Sequence, residues 1–187
     1  LGDYAFENCT SLKSAVIKDG VGSIGSYVFN KCTALEELTV PYAGASLESV
    51  NKTDSYCRFI ERLFYSSVSG KTYSTTSGGY SYSIPNSLKK ITITGGTRIP
   101  SCAFDGFSGV TEIVVPESIT SIGNYAFRNC SSMTSANLTN KLVSIGNHAF
   151  SGCSSSKLSS VKFPSSLTTI GTEAFYGCTG LTSIEVP

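Results

Sequence analysis

Apolar residues along this chain recur in a fixed order that suits neither a long helix nor a single long strand. In residues 121–135, SIGNYAFRNCSSMTS, an isoleucine and a glycine precede an Ala-Phe pair, and a cysteine follows the phenylalanine by three residues. Phe104, Phe127 and Phe150 occupy the same place in successive copies of this segment, each 23 residues after the last. A repeat of this length predicts a solenoid, in which each unit buries its apolar face against the next.

A second apolar pattern follows each phenylalanine and predicts a short strand. In residues 181–187, LTSIEVP, the alternation from Ile184 to Val186 is the period of a strand. Comparable segments begin at Leu12, Leu35, Leu88, Val110, Met133, Leu158 and Leu181. We therefore predict seven units of about 23 residues, whose strands stack into one parallel sheet.

The third unit is longer than the others, because Leu35 and Leu88 are 53 residues apart, about one unit plus 30. Phe64 is the best match to its repeated phenylalanine. The extra residues then predict two surface insertions, at about residues 42–54 and 66–84. If both lie outside the coil, the strands near Leu38 and Ile91 should still be neighbours.

The remainder of each unit predicts a turn-rich face. An isoleucine before the repeated phenylalanine is expected to begin the opposite side of the coil, at Ile24, Ile99, Ile122, Ile145 and Ile170. The glycine that usually follows is expected to adopt backbone angles that a Cβ would forbid. The Ala-Phe-x-x-Cys segment should form an irregular or helical turn that brings each phenylalanine onto its neighbour.

Five cysteines belong to the repeat, at Cys9, Cys32, Cys130, Cys153 and Cys178. Tetrahedral metal sites need ligands that converge from several directions, whereas a ladder points its sulfurs one way. We therefore expect buried thiols that act as small apolar side chains, and no metal or cofactor. Occasional cross-links between neighbouring rungs are an alternative. So is a bond between Cys57 and Cys102, which lie outside the ladder.

Composition narrows the function classes. The 187 residues carry a net charge of +1, which gives no electrostatic reason for binding nucleic acid. No apolar run approaches the roughly 18 residues of a membrane span. Because the chain starts and stops inside repeat units, we expect a single domain, residues 1–187, that is a fragment of a longer polypeptide.

Residues 87–104, SLKKITITGGTRIPSCAF, residues 122–138, IGNYAFRNCSSMTSANL, and residues 170–187, IGTEAFYGCTGLTSIEVP, resemble the unit of BspA-like leucine-rich repeats. This resemblance covers essentially the whole chain. It implies a leucine-rich-repeat solenoid of the α/β type, rich in β-structure. The coil would be right-handed and curved, with a parallel sheet on its concave face and short turns or helical turns opposite. It also implies a secreted or cell-surface location, adhesion to host matrix proteins, and no catalytic residues.

The sequence carries little catalytic chemistry of its own. His148 is the only histidine, and it fills a variable position held elsewhere by Tyr4, Tyr27, Cys102, Tyr125 and Glu173. We interpret this position as surface rather than as a catalytic or metal site. No phosphate-binding loop or dinucleotide fingerprint occurs. The chain is therefore not expected to be an enzyme.

The leading hypothesis is a module that binds a protein ligand, either a matrix protein or another cell-surface protein. Its expected binding surface is the concave face, built from Glu37, Thr39, Lys90, Thr92, Glu112, Val114, Asn137 and Lys162. One alternative is a carbohydrate-binding module, whose stacking faces would be Tyr65, Tyr73, Tyr80 and Tyr82. The other is a passive structural spacer.

Charges on the expected face alternate in sign between units. Glu37, Lys90 and Glu112 occupy one equivalent position, and Lys162 and Glu185 share another. We interpret them as cross-strand pairs that hold neighbouring strands in register, rather than as a patch for one charged ligand. Charged atoms of Lys90 should then lie within about 4–6 Å of at least one of the two carboxylates.

Overall fold

The chain forms a parallel-strand β-solenoid of about six turns, which confirms the predicted fold class. The computed structural model describes residues 1–43, 59–64, 72–77, 80–136, 138–155 and 157–186. Six of the seven predicted strands are present. The missing one is the strand of the fifth unit, expected to follow Met133, since residues 133–136 do not form a strand.

Among the described residues, six units contribute a strand of three or four residues, and four later units contribute a two-residue strand to a further sheet. The main sheet has the order β1-β2-β5-β7, with β1 Ser14–Val16, β2 Glu37–Val40, β5 Lys90–Ile93 and β7 Glu112–Val114. The C-terminal pair consists of β10 Ser160–Lys162 and β12 Ser183–Glu185. The short-strand sheet consists of β6 Arg98–Ile99, β8 Ser121–Ile122, β9 Ser144–Ile145 and β11 Thr169–Ile170. A hairpin, β3 Thr72–Ser77 and β4 Tyr80–Pro85, and one helical turn, α1 Phe59–Arg62, belong to the long third unit.

Strand register places the repeated residues side by side. Leu38 pairs with Ile91, and Ile91 pairs with Ile113. The strands of the second and third units are thus neighbours, as predicted, although 53 residues separate Leu35 from Leu88. The exact bounds of the two insertions, about 42–54 and 66–84, stay a prediction.

Stacked phenylalanines run through the core. The rings of Phe104 and Phe127 lie 5.3 Å apart with planes 7° from parallel, and those of Phe150 and Phe175 lie 5.0 Å apart at 6°. This confirms the predicted stack. Phe107, which stands where other units have cysteine, packs edge-on against Phe104 at 5.7 Å.

The repeated glycine has a different role from the one predicted. A Cβ on Gly123 would lie 2.5 Å from the backbone nitrogen of Ser101, and one on Gly146 would lie 2.6 Å from that of Asn124. Neither glycine has a positive φ. The glycine is therefore required by the close approach of the preceding coil, and not by its own backbone angles.

Two other positions of the unit adopt the left-handed conformation. The first, with φ between 53° and 60°, is the variable position of Tyr4, Tyr27, Cys102, Tyr125, His148 and Glu173. The second lies just before the cysteine position and is held by Asn8, Lys31, Gly106, Asn129, Gly152 and Gly177. Glycine and asparagine visit this region most readily, which accounts for their frequency at the second position.

The cysteine ladder is buried except at its first member. Each of the other four thiols donates to the carbonyl oxygen of a repeated phenylalanine in the preceding unit, with Sγ···O distances of 3.1–3.2 Å. Burial raises the pKa of Cys32 to about 11. Hydrogen bonding to the Cys130 thiol raises the pKa of Cys153. Cys9 is exposed, contrary to the expectation that the ladder thiols are buried. The alternative of a Cys57–Cys102 bond falls on Cys57, which lies outside the described residues.

Candidate binding face

The outward side chains of the main sheet form an open surface, here called the strand face. Leu38 and Val40 are buried, while Glu37 and Thr39, which alternate with them along the strand, are not. This is expected because successive side chains of a strand point to opposite sides of the sheet. Register aligns Glu37, Lys90 and Glu112 in one row and Thr39, Thr92 and Val114 in the next. Six of the eight predicted residues are thereby brought together.

Ion pairs on this surface follow the predicted cross-strand pattern. Lys90 lies between Glu37 and Glu112 in the ladder, and its Nζ is 3.3 Å from Oε1 of Glu112. Lys162 Nζ lies 3.8 Å from Oε2 of Glu185 on the adjacent strand. The expected geometry is confirmed for both pairs. Pairs of this kind contribute roughly 0.2–1 kcal/mol each.

Of the other predicted residues, Lys162 lies on β10 and outside these two rows. Asn137 and Tyr65 lie outside the described residues. Tyr73 and Tyr80 belong to the two strands of the hairpin, and nothing is described of their side chains. Tyr82 is only 8% exposed, so its ring does not offer the open stacking face that the carbohydrate hypothesis requires.

The main sheet ends at β7 in the fourth unit, and among the described residues no strand of the fifth unit pairs with β7 or with β10. Thr134 N donates to Thr111 O at 3.0 Å, and Thr182 N donates to Ser159 O at 2.8 Å. Ser159 is the equivalent residue of the sixth unit. Within the described residues, no backbone hydrogen bond joins it to Thr134.

The sequence of the fifth and sixth units departs from the common pattern at this point. The fifth unit has Thr, Ser and Ala after Met133, where the fourth has Thr, Glu, Ile, Val and Val after Val110. Serine and alanine do not by themselves prevent a strand, because Ser14 and Ala15 hold the equivalent positions in β1. Two additional residues between Cys153 and Leu158 also lengthen the step from Phe150 to Phe175 to 25 residues.

A cleft of about 430 Å³ opens between the fifth and sixth units. It is lined by Thr134, Ser135, Ala136, Leu138, Asn140, Lys157, Ser159, Ser160, Lys162, Phe163 and Pro164. Two lysines and no carboxylate occur among these residues. Sequence reasoning missed the cleft, although the 25-residue step from Phe150 to Phe175 was a signal for it.

The variable, left-handed position of the repeat places its side chains in a row along the surface of the coil. The Tyr125 and His148 rings stack 4.9 Å apart at 5°, and Arg128 lies over the Tyr125 ring at 4.6 Å. Arg128 also binds the buried Asp105 carboxylate through two nitrogens, at 2.5 and 2.9 Å, and this hydrogen bonding raises the pKa of Arg128.

In this row, His148 contacts the equivalent residues of the coils on either side of it. Its Nδ1 lies 3.4 Å from Oε2 of Glu173, the residue at the same position in the next coil. One ring face is covered by Tyr125. The side chain thus links two neighbouring coils.

Two features are absent from the part of the chain that the structure describes. No helix there is both long and apolar enough to cross a membrane. In the same residues, no three histidine, cysteine, aspartate or glutamate side chains are grouped so that they could hold a metal ion.

Comparison with known proteins adds a family and two solved structures. The pattern described as "BspA type leucine rich repeat region (6 copies)" matches residues 1–106 and 75–187. A leucine-rich repeat protein from Bacteroides ovatus is 29% identical, with a TM-score of 0.63 over 98% of this chain and 39% of that one. A leucine-rich repeat protein from T. pallidum is 31% identical, with a TM-score of 0.51 over 54% of this chain and 47% of that one. The match thus spans less than half the length of either structure, and no curated protein matches the sequence.

Proposed function

Because the chain belongs to the BspA-type leucine-rich repeat family, we propose that it is a non-catalytic module that binds a protein ligand through its strand face. Leucine-rich repeat proteins are generally non-catalytic, and their repeats usually mediate protein interactions. The family therefore favours binding, while the specific surface must be argued from this chain.

The main support for this proposal is the two-row arrangement of outward side chains across three paired strands, β2, β5 and β7. Threonines and paired charges dominate these rows, and Val114 adds an apolar contact. An open surface of this kind suits a large partner that makes many modest contacts. Small molecules usually bind in concave, mostly apolar pockets.

The ligand we propose is an extracellular matrix protein or another cell-surface protein. A secreted or cell-surface location is part of the same proposal, and the resemblance to BspA-like repeats supports it. Adhesion would follow if several modest contacts acted together, since linked weak sites gain avidity from their high effective concentration.

A binding screen tests this function. The purified domain would be immobilised and exposed to a panel of soluble matrix proteins by biolayer interferometry, with a glycan array run in parallel. We expect saturable binding to at least one protein and none to the glycans. Binding to glycans alone would favour a carbohydrate-binding module. Binding to neither would favour a structural spacer.

A further inference from the structure

The cleft between the fifth and sixth units exposes one edge of β10, whereas the strands of the first four units pair with one another. Glu112 N donates to Lys89 O at 3.0 Å, and Ser183 N donates to Ser159 O at 3.3 Å. Ser160 is the equivalent residue of the sixth unit. Among the described residues, no backbone bond joins Ser160 or Lys162 to residues 134–136. Strand β10 therefore pairs with β12 on one side and presents its other edge to the cleft.

The missing pairing is confined to one side of the coil. On the short-strand sheet, β9 and β11 pair normally, with Ser144 beside Thr169. In the turn region, Phe150 N donates to Ala174 O at 2.7 Å. The fifth and sixth coils are thus held together around the cleft, and both of its walls are anchored to the core.

The lining of the cleft defines the chemistry of its occupant. Leu138, Phe163 and Pro164 supply apolar surface, and serine and threonine side chains supply hydrogen-bonding groups. Lys157 and Lys162 are its charged lining residues. Lys162 also has a long contact with Glu185, at 3.8 Å, in which both side chains are largely exposed, so its charge is weakly engaged.

We propose that this cleft binds an extended peptide segment with acidic side chains, which adds as a strand to the free edge of β10. Main-chain hydrogen bonds to Ser160 and Lys162 would hold the segment, as in other proteins that bind peptides by strand addition. The two lysines select for carboxylates along it. The inference deepens the proposed protein-binding function and rests on it, because it assigns one kind of contact that a protein ligand would make.

Three synthetic hexapeptides with capped ends test the proposal. The first alternates glutamate and threonine, the second alternates lysine and threonine, and the third is the first with alternate backbone nitrogens methylated. Amide chemical-shift titration of the domain would give affinities and locate the contact. We expect the acidic peptide to bind with shifts at residues 158–163, and the other two to bind at least tenfold more weakly.

Two variants of the domain complete the test. The double substitution Lys157→Gln and Lys162→Gln should weaken binding of the acidic peptide roughly tenfold, since each exposed charge pair contributes modestly. The double substitution Lys13→Gln and Lys89→Gln removes the same charge outside the cleft and should leave binding unchanged. Thermal melting of both would verify the fold. Equal affinity for the methylated peptide, or equal effects of the two double variants, would overturn strand addition at the cleft.

The peptide experiment and the matrix-protein panel can fail independently of each other. If the matrix panel yields a protein ligand while the acidic peptide fails to bind, the cleft inference is wrong and the proposed function stands. If the peptide binds at the cleft while no protein binds the domain, the cleft inference stands and the proposed function fails.

Discussion

At the scale of single residues, stability depends on what each repeated position meets in the neighbouring coil. Phe127 is buried between the rings of Phe104 and Phe150, at 5.3 and 5.0 Å, whereas Phe6 is 41% exposed. Phe127→Ala should therefore lower the free energy of unfolding by about 3–5 kcal/mol. Phe6→Ala should cost clearly less. Urea denaturation followed by circular dichroism measures both, and equal losses would contradict the stacked core.

The repeated glycine allows a similarly matched pair. Gly146→Ala places a Cβ against backbone atoms of the preceding coil, so it should destabilise the domain by about 1–3 kcal/mol, as overpacking does. Gly22→Ala meets nothing within 4 Å and should be neutral or slightly stabilising. Thermal melts would measure the stability of the two variants against the parent. An unchanged melting temperature for Gly146→Ala would show that the coils are not in such close contact.

Buried thiols predict a dependence of stability on alkaline pH. Burial raises the pKa of Cys32 from 9.0 to about 11, so folding favours the protonated thiol. This contribution is complete below pH 9 and is lost as pH rises from about 9 to 11. The free energy of unfolding should therefore fall between pH 8 and pH 10.5 by less in Cys32→Ala than in the parent. Identical falls in the two proteins would mean that Cys32 does not stay protonated in the fold.

At the scale of elements, the strands were predictable and their exceptions were not. The spacing of Leu38, Ile91 and Ile113 within their units was enough to predict the register, because a repeated apolar pattern leaves one way to bury every unit. The role of Gly146 was missed because it depends on a contact with another coil. Asparagine or glycine at Asn129 and Gly152 was a readable signal for left-handed backbone.

Part of the candidate surface was likewise predictable from the sequence, and part of it was not. Alternation within β2 and β5 predicted which residues face outward, including Lys90 between its two carboxylates. The cleft was not predicted, because it arises from a pairing that fails to form between Thr134 and Ser159. A sequence pattern common to all units describes what they share and conceals where one of them departs.

The charge ladder gives a prediction for the main sheet as an element. Lys90→Glu would place three carboxylates side by side on β2, β5 and β7, and we expect a loss of about 0.5–2 kcal/mol in unfolding free energy. Lys18→Glu makes the same charge change outside the sheet and should cost less. The difference should shrink in 1 M NaCl, where exposed charges are screened. Equal losses, independent of salt, would argue against a pairing role for Lys90.

At the scale of the whole molecule, the solenoid is a stack in which each coil depends mainly on its neighbours. Its main sheet has the order β1-β2-β5-β7, and β10 and β12 form a separate two-stranded sheet beyond the cleft. A partner that covers the strand face would contact strands that are distant in sequence. Its affinity should therefore be sensitive to bulky side chains in the middle of that face and insensitive to the same change on the short-strand sheet.

The measurement that tests this claim most directly compares two threonine-to-arginine variants against a protein ligand from the panel. Thr39→Arg combined with Thr92→Arg obstructs the second row of the strand face, while Thr169→Arg places one arginine on exposed β11. We expect at least a tenfold loss of affinity for the double variant and none for Thr169→Arg, with both variants folded. Undiminished binding by the double variant would contradict the strand face as the binding surface.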